Sequence, residues 1–258
     1  MSNSSLVTYT LISPNKNSPR NHAIDTITIH HVAGCASAKA VCQVFNSPSR
    51  QASCNYAIGN DGDIALCVDE RDRSWCSSSK INDNRAITIE VSNDYNGVKN
   101  QTWTVSEAAM KSLINLVADI CKRNGIKQLV WSNTTYNRVN HLNGANVTLH
   151  KDFAATGCPG PYLEKEIPNR VIPAVNAILT GVKPKTTIYK VQIGAFKTKS
   201  FADNQCAKAK SLGYSCYVYN ENNIYRVQIG AFTVKANAEK YRLRAIKDGF
   251  KNAFIVEK

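Results

Sequence analysis

The strongest constraint on the fold of this chain is an octapeptide that occurs twice near its end. YKVQIGAF begins at Tyr189, and YRVQIGAF begins 36 residues later at Tyr225. Apolar and polar residues alternate in both copies, which is the pattern of a half-buried strand. The Tyr, Val and Ile residues of each copy are therefore predicted on one side of a sheet, and the basic residue and the Gln on the other side.

The segments around the two copies predict a small domain. Each copy is followed by an amphipathic pattern typical of a helix, KSFADNQCAKAKSLGY and KANAEKYRLRAIKDGF. Short strand patterns then follow at SCYVYN and NAFIVEK. The order β-α-β-β-α-β predicts a sandwich in which two helices cover one face of a four-stranded sheet. Lys190, Gln192, Arg226 and Gln228 are predicted on its open face.

The segment TGVKPKTT lies just before this repeat and combines Gly, Pro and Lys without periodicity, which is typical of a linker. We predict an N-terminal domain at residues 1–180, a linker at 181–186 and a C-terminal domain at 187–258. Residues 181–258 hold 15 basic and 5 acidic residues, so they carry +10 of the net charge of +13. Such a domain favours an anionic partner, namely nucleic acid, a membrane surface or a wall polymer, unless the charge only keeps the surface soluble.

The N-terminal region mixes strand and helix patterns. Asp25–His31 reads as a strand, CNYAIGNDGDIALCV as a hairpin, and NRAITIEVSND as a strand that ends near Glu90. A long helix is predicted over TVSEAAMKSLINLVADICKRNG, with Thr104 or Ser106 as its cap and Gly125 as its stop. These patterns predict an α/β or α+β domain.

The cysteines and the chain start bear on the cellular compartment. The sequence has nine cysteines, an odd number, and its N-terminus lacks the pattern of a signal peptide. No apolar run approaches the roughly 20 residues that a membrane-spanning helix needs. We therefore predict cytoplasmic accumulation, no membrane insertion and reduced thiols, with a Cys206–Cys216 disulfide as the alternative for that pair. Small core thiols are predicted at Cys35, Cys42, Cys54, Cys67, Cys76 and Cys121.

The loop HKDFAATGCPGP contains a histidine and a cysteine, His150 and Cys158. His30 ends the first predicted strand of the N-terminal region. Imidazole and thiolate are preferred zinc ligands, and three protein ligands would leave a fourth position open, as catalytic sites require. Spacing alone leaves two interpretations open, a catalytic zinc site and a coincidental pair in an ordinary loop.

Four segments, in their order and separation, carry a family resemblance: ITIHHVAG, CNYAIGNDGDI, AITIEVSND and HKDFAATGCPGP. Together they resemble the zinc-dependent N-acetylmuramoyl-L-alanine amidases, a family that includes phage lysins, bacterial autolysins and animal peptidoglycan-recognition proteins. The resemblance covers roughly residues 5–180 and implies a mixed central sheet flanked by helices. It also implies hydrolysis of the amide bond between N-acetylmuramic acid and the L-alanine of the stem peptide.

The resemblance implies that His30, His150 and Cys158 bind Zn²⁺. Bound zinc lowers the pKa of its water ligand to about 7 and polarises the scissile carbonyl. Glu90 matches the position of a catalytic glutamate, which would take the proton of the water and pass it to the amine. His31, the neighbour of His30, is predicted to point away as an ordinary buried histidine.

The resemblance leaves two alternatives open at each of three further positions. Tyr56 matches a tyrosine near the zinc and could donate to the developing oxyanion, or it could be a core aromatic. Thr156 stands where several members of the family carry a lysine, and other members also have a threonine at this position. It could hydrogen-bond the oxyanion but brings no positive charge. Asp152 would either orient a histidine ligand or cap the loop.

Residues 187–258 resemble the sporulation-related repeat (SPOR) domain, a module that binds peptidoglycan glycan strands. On the polar face of the predicted sheet, Gln192, Gln228, Lys190 and Arg226 could hydrogen-bond sugar hydroxyl and acetamide groups. The alternatives are that they are only solvated strand positions, or that a groove beside the sheet binds the glycan instead. The positive charge could also help the domain to stay on anionic wall polymers.

The two resemblances together predict a peptidoglycan amidase that carries its own wall anchor and acts at the cell wall after release. The release could follow holin opening, if a phage encodes the chain, or lysis of a sporulating mother cell. A non-catalytic peptidoglycan-binding protein is the alternative. Nucleic-acid binding by the basic sheet is ranked last, because its tyrosines are predicted in register with the core and not on the open face.

Overall fold

The computed structural model describes residues 2–182, 188–233 and 235–257. Packing divides the chain into two compact units, Met1–Pro184 and Lys185–Lys258. Most of the linker predicted at 181–186 lies outside the described residues, so that boundary stays a prediction. Among the described residues, no helix combines the length and the apolar character that crossing a bilayer would need.

A six-stranded mixed sheet forms the centre of the first unit. Its strands and those of a small two-stranded sheet are β1 (Tyr9–Thr10), β2 (Lys16–Asn17), β3 (Thr26–His31), β4 (Tyr56–Ile58), β5 (Ile64–Leu66), β6 (Arg73–Ser74), β7 (Ala86–Val91) and β8 (Val147–Leu149). The strand order in the large sheet is β1-β5-β4-β7-β3-β8, and β2 pairs with β6. The β3 strand runs parallel to both β7 and β8, so the chain leaves all three strands at the same edge.

Helices flank this sheet. They are α1 (Ala38–Phe45), α2 (Lys80–Arg85), α3 (Tyr95–Lys99), α4 (Glu107–Arg123), α5 (Thr135–Val139), α6 (Gly160–Glu166) and α7 (Ile172–Thr180), with a π-helical turn at Ile167–Val171 and 3-10 turns at Pro48–Arg50, Leu142–Gly144 and His150–Asp152. The α4 helix begins as predicted, since the Ser106 hydroxyl accepts a hydrogen bond from the Ala109 N–H at 3.1 Å. The predicted mixed sheet flanked by helices is confirmed.

The two faces of the central sheet differ in chemistry because successive strand residues point to opposite sides. Isoleucines such as Ile29 and Ile89 join a buried apolar cluster with the α4 side chains Met110 and Leu113. Threonines alternate with those isoleucines and lie on the other face, where they are also fully buried: Thr26, Thr28, Thr88 and Thr148. The sheet is therefore covered on both faces.

Two pairs of cysteines form disulfides, which corrects the prediction of reduced thiols at Cys42 and Cys67. The α1 helix packs against the end of β5, and this brings the Cα atoms of Cys42 and Cys67 to 5.4 Å. Cys206 and Cys216 are also bonded, as the alternative for that pair allowed. Cys35, Cys54, Cys76, Cys121 and Cys158 are free thiols, and Cys35 is exposed, so it is not a core residue.

The second unit has the predicted β-α-β-β-α-β order. Its elements are β9 (Tyr189–Phe196), α8 (Lys199–Ser211), β10 (Tyr217–Glu221), β11 (Ile224–Phe232), α9 (Lys235–Lys247) and β12 (Phe254–Glu257). The sheet is antiparallel in the order β10-β11-β9-β12. Val191, Ile193, Val227 and Ile229 are buried with helix residues such as Ala202 and Ala245, which confirms the small sandwich.

Candidate metal centre

The strand register brings three side chains of the polar face to one edge of the sheet. His30 in β3 pairs with Glu90 in β7, so the two side chains lie side by side. On the other side of β3, Ile29 pairs with Leu149, the last residue of β8, and His150 follows directly. Because parallel strands end at the same edge, residues far apart in the sequence meet there.

Cys158 completes a compact group with the two histidines. Its Sγ atom lies 3.6 Å from Nδ1 of His30, and the ring centroids of His30 and His150 are 4.9 Å apart. The donor atoms of His30, His150 and Cys158 all lie within 4.8 Å of one another. The structure thus brings together the three residues predicted as ligands.

The state of these donor atoms fits a divalent cation. Burial, with the nearby His150 and His31, holds the pKa of His30 well below its usual range, and burial also lowers the pKa of His150. Both imidazoles are therefore neutral and offer lone pairs. Nε2 of His30 is buried without a hydrogen-bond partner among the described residues, and such atoms are rare unless something else binds them. Burial, aided by Glu90, raises the pKa of Cys158 to about 12, which favours the protonated thiol. A bound cation would favour the thiolate instead.

The loop around Cys158 is held by its own backbone. The Cys158 N–H donates to the hydroxyl of Thr156 at 3.2 Å, and its carbonyl accepts from the Lys151 N–H at 3.2 Å. Gly160 has φ +81°, and a Cβ atom there would lie only 2.9 Å from Cε1 of His31. His31 packs edge-on against Trp103, with ring centroids 5.4 Å apart, outside the histidine–cysteine group.

Asp152 caps the loop, which is one of the two roles left open for it. Its carboxylate accepts a hydrogen bond from the Leu149 N–H at 2.9 Å and pairs with Arg138 at 2.5 Å. The Arg138 side chain also stacks on Trp131, 4.6 Å from the ring centroid. Asp152 therefore fixes the start of the turn that carries His150. Among the described residues, its carboxylate makes no hydrogen bond to the imidazole of His150.

Glu90 places a carboxylate next to His30, at the edge of this group. Burial raises its pKa to about 8. Its Oε2 atom is buried and has no hydrogen-bond partner among the described residues. A buried, unpaired carboxylate costs free energy, so its presence marks a place where a cation or a reacting proton is expected.

Tyr56 does not reach this group, which corrects the prediction of an oxyanion donor. Tyr56 pairs with Ile89, whereas its neighbour Ala57 pairs with Glu90. The tyrosine therefore points to the apolar face, opposite Glu90. There its hydroxyl donates to the carboxylate of Glu70 at 2.6 Å and accepts from the Ser4 N–H at 2.9 Å. Tyr56 is a core aromatic, the other role that the sequence allowed.

A buried hydrogen-bond network on the polar face of the sheet supports the strands that carry the site, and no sequence motif predicted it. The hydroxyls of Thr28 and Thr148 lie 2.8 Å apart. The Asn82 amide bridges them, since it donates to Thr28 at 3.0 Å and accepts from Thr148 at 3.1 Å. On β7 the Thr88 hydroxyl contacts that of Ser74 at 2.7 Å. A threonine stands two residues before His30, Glu90 and His150 alike, and that spacing could have predicted their common face.

Comparisons with known proteins decide the family. The family model described as N-acetylmuramoyl-L-alanine amidase matches residues 20–161, more than half of the 258 residues. The chain belongs to the N-acetylmuramoyl-L-alanine amidase family. The SPOR domain model matches residues 167–220 and 185–257. Both predicted resemblances are confirmed.

Several solved structures are similar to parts of this amidase. PlyL is 12% identical, with a TM-score of 0.45, and the match covers 66% of this chain and 95% of PlyL. The endolysin amidase LysCS from Clostridium intestinale is 17% identical, with a TM-score of 0.44 and coverages of 64% and 97%. The peptidoglycan-binding domain of the B. subtilis lytic enzyme CwlC is 39% identical, with a TM-score of 0.28 and coverages of 30% and 95%. No curated protein sequence matches the chain.

Two depressions in the amidase unit border the site, one at Glu90 and the other at His150. The first is lined by apolar α1 side chains, including Val41, Val44 and Phe45, and by Arg50, and it ends at Glu90. The second is polar and ends at His150. It is lined by residues such as Asn17, Arg73, Trp75, Cys76, Ser78 and Lys80. The site is therefore accessible from two sides with different chemistry.

The open face of the SPOR sheet holds both glutamines predicted there. Gln192 and Gln228 are paired across β9 and β11, and Gln192 is buried, with its Nε2 atom unpaired among the described residues. Tyr217 pairs with Gln228, and Phe254 pairs with Gln192, so both aromatic side chains share this face. Tyr189 and Tyr225 pack against the core, as predicted, but Tyr217 lies on the open face, where no tyrosine was predicted.

The basic residues on this face are engaged with neighbours. Lys190 lies over the ring of Tyr219, with Nζ 5.8 Å from its centroid, and Arg226 pairs with Glu221 at 2.8 Å. Tyr217 and Tyr219 stack with ring centroids 6.0 Å apart. The face therefore combines amide groups in its centre with an aromatic platform on the β10 edge.

Proposed function

We propose that this amidase hydrolyses the bond between the lactyl group of N-acetylmuramic acid and the L-alanine of the stem peptide, with Zn²⁺ bound by His30, His150 and Cys158. One observation carries the proposal: two imidazoles and a thiol converge beside a carboxylate whose Oε2 atom is buried without a partner among the described residues. Three protein ligands leave the open position that a hydrolytic zinc site needs. The amidase and SPOR domains both imply action at the cell wall.

In this mechanism the protein residues transfer protons and hydrogen-bond the reacting groups. Zinc, when bound, supplies a Lewis acid and a more acidic water. Glu90, beside His30 in the register, accepts the proton of the attacking water and delivers it to the departing amine of L-alanine. Burial raises the pKa of Glu90 to about 8, and a divalent cation beside it would lower that pKa, so that the carboxylate is ionised and can accept the proton. The Thr156 hydroxyl can donate to the oxyanion while it accepts from the Cys158 N–H, because a hydroxyl does both.

The two depressions fit the two parts of the substrate. The apolar depression along α1 suits the small methyl groups of an alanine-containing peptide, and Arg50 at its margin suits a peptide carboxylate. The polar depression with Asn17 and Trp75 suits a sugar, which presents hydroxyl groups and an apolar ring face. The scissile bond would then lie between Glu90 and His150.

The SPOR face would hold the enzyme on the glycan. Gln192 and Gln228 offer amide donors and acceptors to hydroxyl and acetamide groups, and Tyr217, Tyr219 and Phe254 offer rings to the sugar faces. Lys190 and Arg226 line the same face and would add salt-dependent attraction to anionic wall polymers. Release by a holin or by lysis of the mother cell stays a prediction.

Metal analysis combined with wall digestion tests the catalytic proposal. The purified chain should contain one zinc per molecule and should release new N-terminal L-alanine amines from cell walls, and a chelator should abolish the release. Cys158→Ser should bind zinc more weakly than the parent and lose the activity, but it should still sediment with walls. Cys35→Ser, which alters an exposed free thiol, is the matched control and should behave as the parent. Amine release by a zinc-free protein would overturn the proposed role of zinc, whereas binding to walls with no amine release would favour the non-catalytic alternative.

Wall sedimentation tests the anchor. Tyr217→Ala with Tyr219→Ala should reduce binding to purified glycan, while Phe201→Ala, an exposed aromatic on α8, should not. Since aromatic rings on such a sheet could also stack nucleobases, a gel shift with single-stranded RNA is the counter-test. Binding to RNA but not to glycan would reverse the assignment of this face.

A further inference from the structure

A second set of metal-type donor atoms lies beside the first and shares one residue with it. Donor atoms of His30, Cys76 and Glu90 all lie within 4.8 Å of one another. Cys76 is a free thiol two residues after β6, and the amidase mechanism above gives it no role. Imidazole, thiolate and carboxylate are all ligands that zinc accepts.

The position of Cys76 is fixed by a buried carboxylate. Asp83 in α2 accepts hydrogen bonds from the Cys76 N–H at 3.1 Å and from the Ser77 N–H at 3.1 Å. The Ser77 hydroxyl donates to the same carboxylate at 2.6 Å, and both Ser77 and Asp83 are buried. The backbone that carries the thiol is therefore held against the polar face of the sheet and does not need to rearrange to present Sγ.

The other two members of this set have unused binding capacity. Oε2 of Glu90 and Nε2 of His30 are both buried without hydrogen-bond partners among the described residues. Buried polar atoms are almost always paired, so two such atoms on residues that are neighbours in the strand register point to a ligand. Cys76 also lines the polar depression that ends at His150, which gives an ion a route from solvent.

We propose that His30, Cys76 and Glu90 form a second, thiolate-containing position for a thiophilic divalent ion such as Zn²⁺, Co²⁺ or Cd²⁺. The position competes with the first one for His30. An ion held there engages the Glu90 carboxylate and prevents it from accepting a proton, so the second position is inhibitory. This inference rests on the proposed roles of His30 and Glu90.

Cobalt binding separates the two positions without an activity measurement, because a thiolate ligand gives a charge-transfer absorption and a serine does not. All proteins carry Cys35→Ser, so that the exposed thiol cannot bind the ion. The Cys158→Ser protein should still bind Co²⁺ and should still show the thiolate absorption. Adding Cys76→Ser should remove that absorption, and Cys76→Ala should do the same. Adding Glu90→Gln to Cys158→Ser should weaken cobalt binding. Thermal unfolding verifies that each variant is folded.

The outcomes distinguish this inference from the proposed function. If the parent shows the thiolate absorption and Cys158→Ser lacks it, the second position does not exist and the first is unaffected. If the absorption persists after both substitutions, the thiolate comes from another cysteine, such as the buried Cys54, and Cys76 is not a ligand. If even the parent shows no thiolate absorption with bound Co²⁺, the assignment of Cys158 fails, and the proposed function fails with it.

Discussion

The two faces of the central amidase sheet come from the same strands and are equally buried, yet they are organised differently. On one face, Ile29 and Ile89 pack against apolar side chains of α4. On the other face, Thr28 and Thr88 lie in hydrogen-bond networks and lead to His30 and Glu90 at the strand ends. The apolar face is stabilised by burying area, which is not directional. The polar face is stable only if each donor and acceptor finds a partner.

This difference shows how the site can be located. In a fully paired polar face, an unpaired atom stands out, and two of the unpaired buried atoms among the described residues belong to His30 and Glu90. An unsatisfied buried group costs about 1–3 kcal/mol, so such atoms are retained where they bind something. Substitutions at neighbouring residues on opposite faces should therefore have different effects, on turnover in one case and on the free energy of unfolding in the other.

The largest expected effect is that of Glu90→Gln on turnover. Removing the proton acceptor should slow amide hydrolysis about 10³-fold, equivalent to about 4 kcal/mol in the activation free energy. The free energy of unfolding should not fall, because the amide has nearly the shape of the carboxyl group and replaces a group whose buried Oε2 atom has no hydrogen-bond partner among the described residues. Steady-state amine release and urea unfolding measure the two quantities. Glu107→Gln, on the exposed side of α4, is the control; an unchanged rate in Glu90→Gln would make Glu90 a structural residue.

The next prediction concerns Ile89, the residue just before Glu90 on the apolar face. Ile89→Ala should lower the free energy of unfolding by about 3 kcal/mol, because a fully buried side chain leaves a cavity. Turnover at a temperature where the variant is folded should change little. Urea unfolding followed by fluorescence checks the first value, and Ile81→Ala, at a side chain that is 79% exposed, is the control. A large loss of turnover in folded Ile89→Ala would mean that the two faces are not independent.

Much of this arrangement was predictable from the sequence, and the reason is the strand period. Alternation in TITIHH and AITIEV predicts strands that are polar on one side, and the next-to-last residue of each is a candidate site residue, His30 or Glu90. The His150 and Cys158 loop was found through its chemistry and its family resemblance. In the C-terminal domain the doubled octapeptide predicted the topology, since each copy is one strand of the same kind.

The features that were not predicted depend on how separate elements pair and pack, which cannot be read from the sequence of one element alone. A role for Tyr56 near the metal was allowed by the family resemblance, and the register that aligns Tyr56 with Ile89 cannot be read from its own segment. The Cys42–Cys67 disulfide joins a helix to a strand end 25 residues later, and the packing of α1 decides it. Asn82 gave no motif, although it bridges two strands.

Asn82 provides a prediction for the polar face itself. Asn82→Ala should lower the free energy of unfolding by about 2 kcal/mol, because the buried hydroxyls of Thr28 and Thr148 lose their bridging partner. We expect turnover to fall less than in Glu90→Gln, with zinc retained, since the network supports the strands that carry His30 and His150. Thermal unfolding and metal content measure these effects. Asn169→Ala, at an exposed helical position, should be neutral, and a neutral Asn82→Ala would show that water replaces the amide.

The smallest effect should come from Tyr56→Phe, which sharpens the comparison because the family resemblance suggested a role in catalysis. The substitution removes the hydroxyl that donates to Glu70, but Glu70 keeps its pair with Arg123 at 2.6 Å. The free energy of unfolding should therefore fall by only about 1 kcal/mol. Turnover should be unchanged, since the hydroxyl lies on the face opposite Glu90. Tyr136→Phe, at an exposed tyrosine, is the control for removing a hydroxyl. If amine release by Tyr56→Phe fell as far as it does in Glu90→Gln, the hydroxyl would have to reach the substrate, and the separation of the two faces would be wrong.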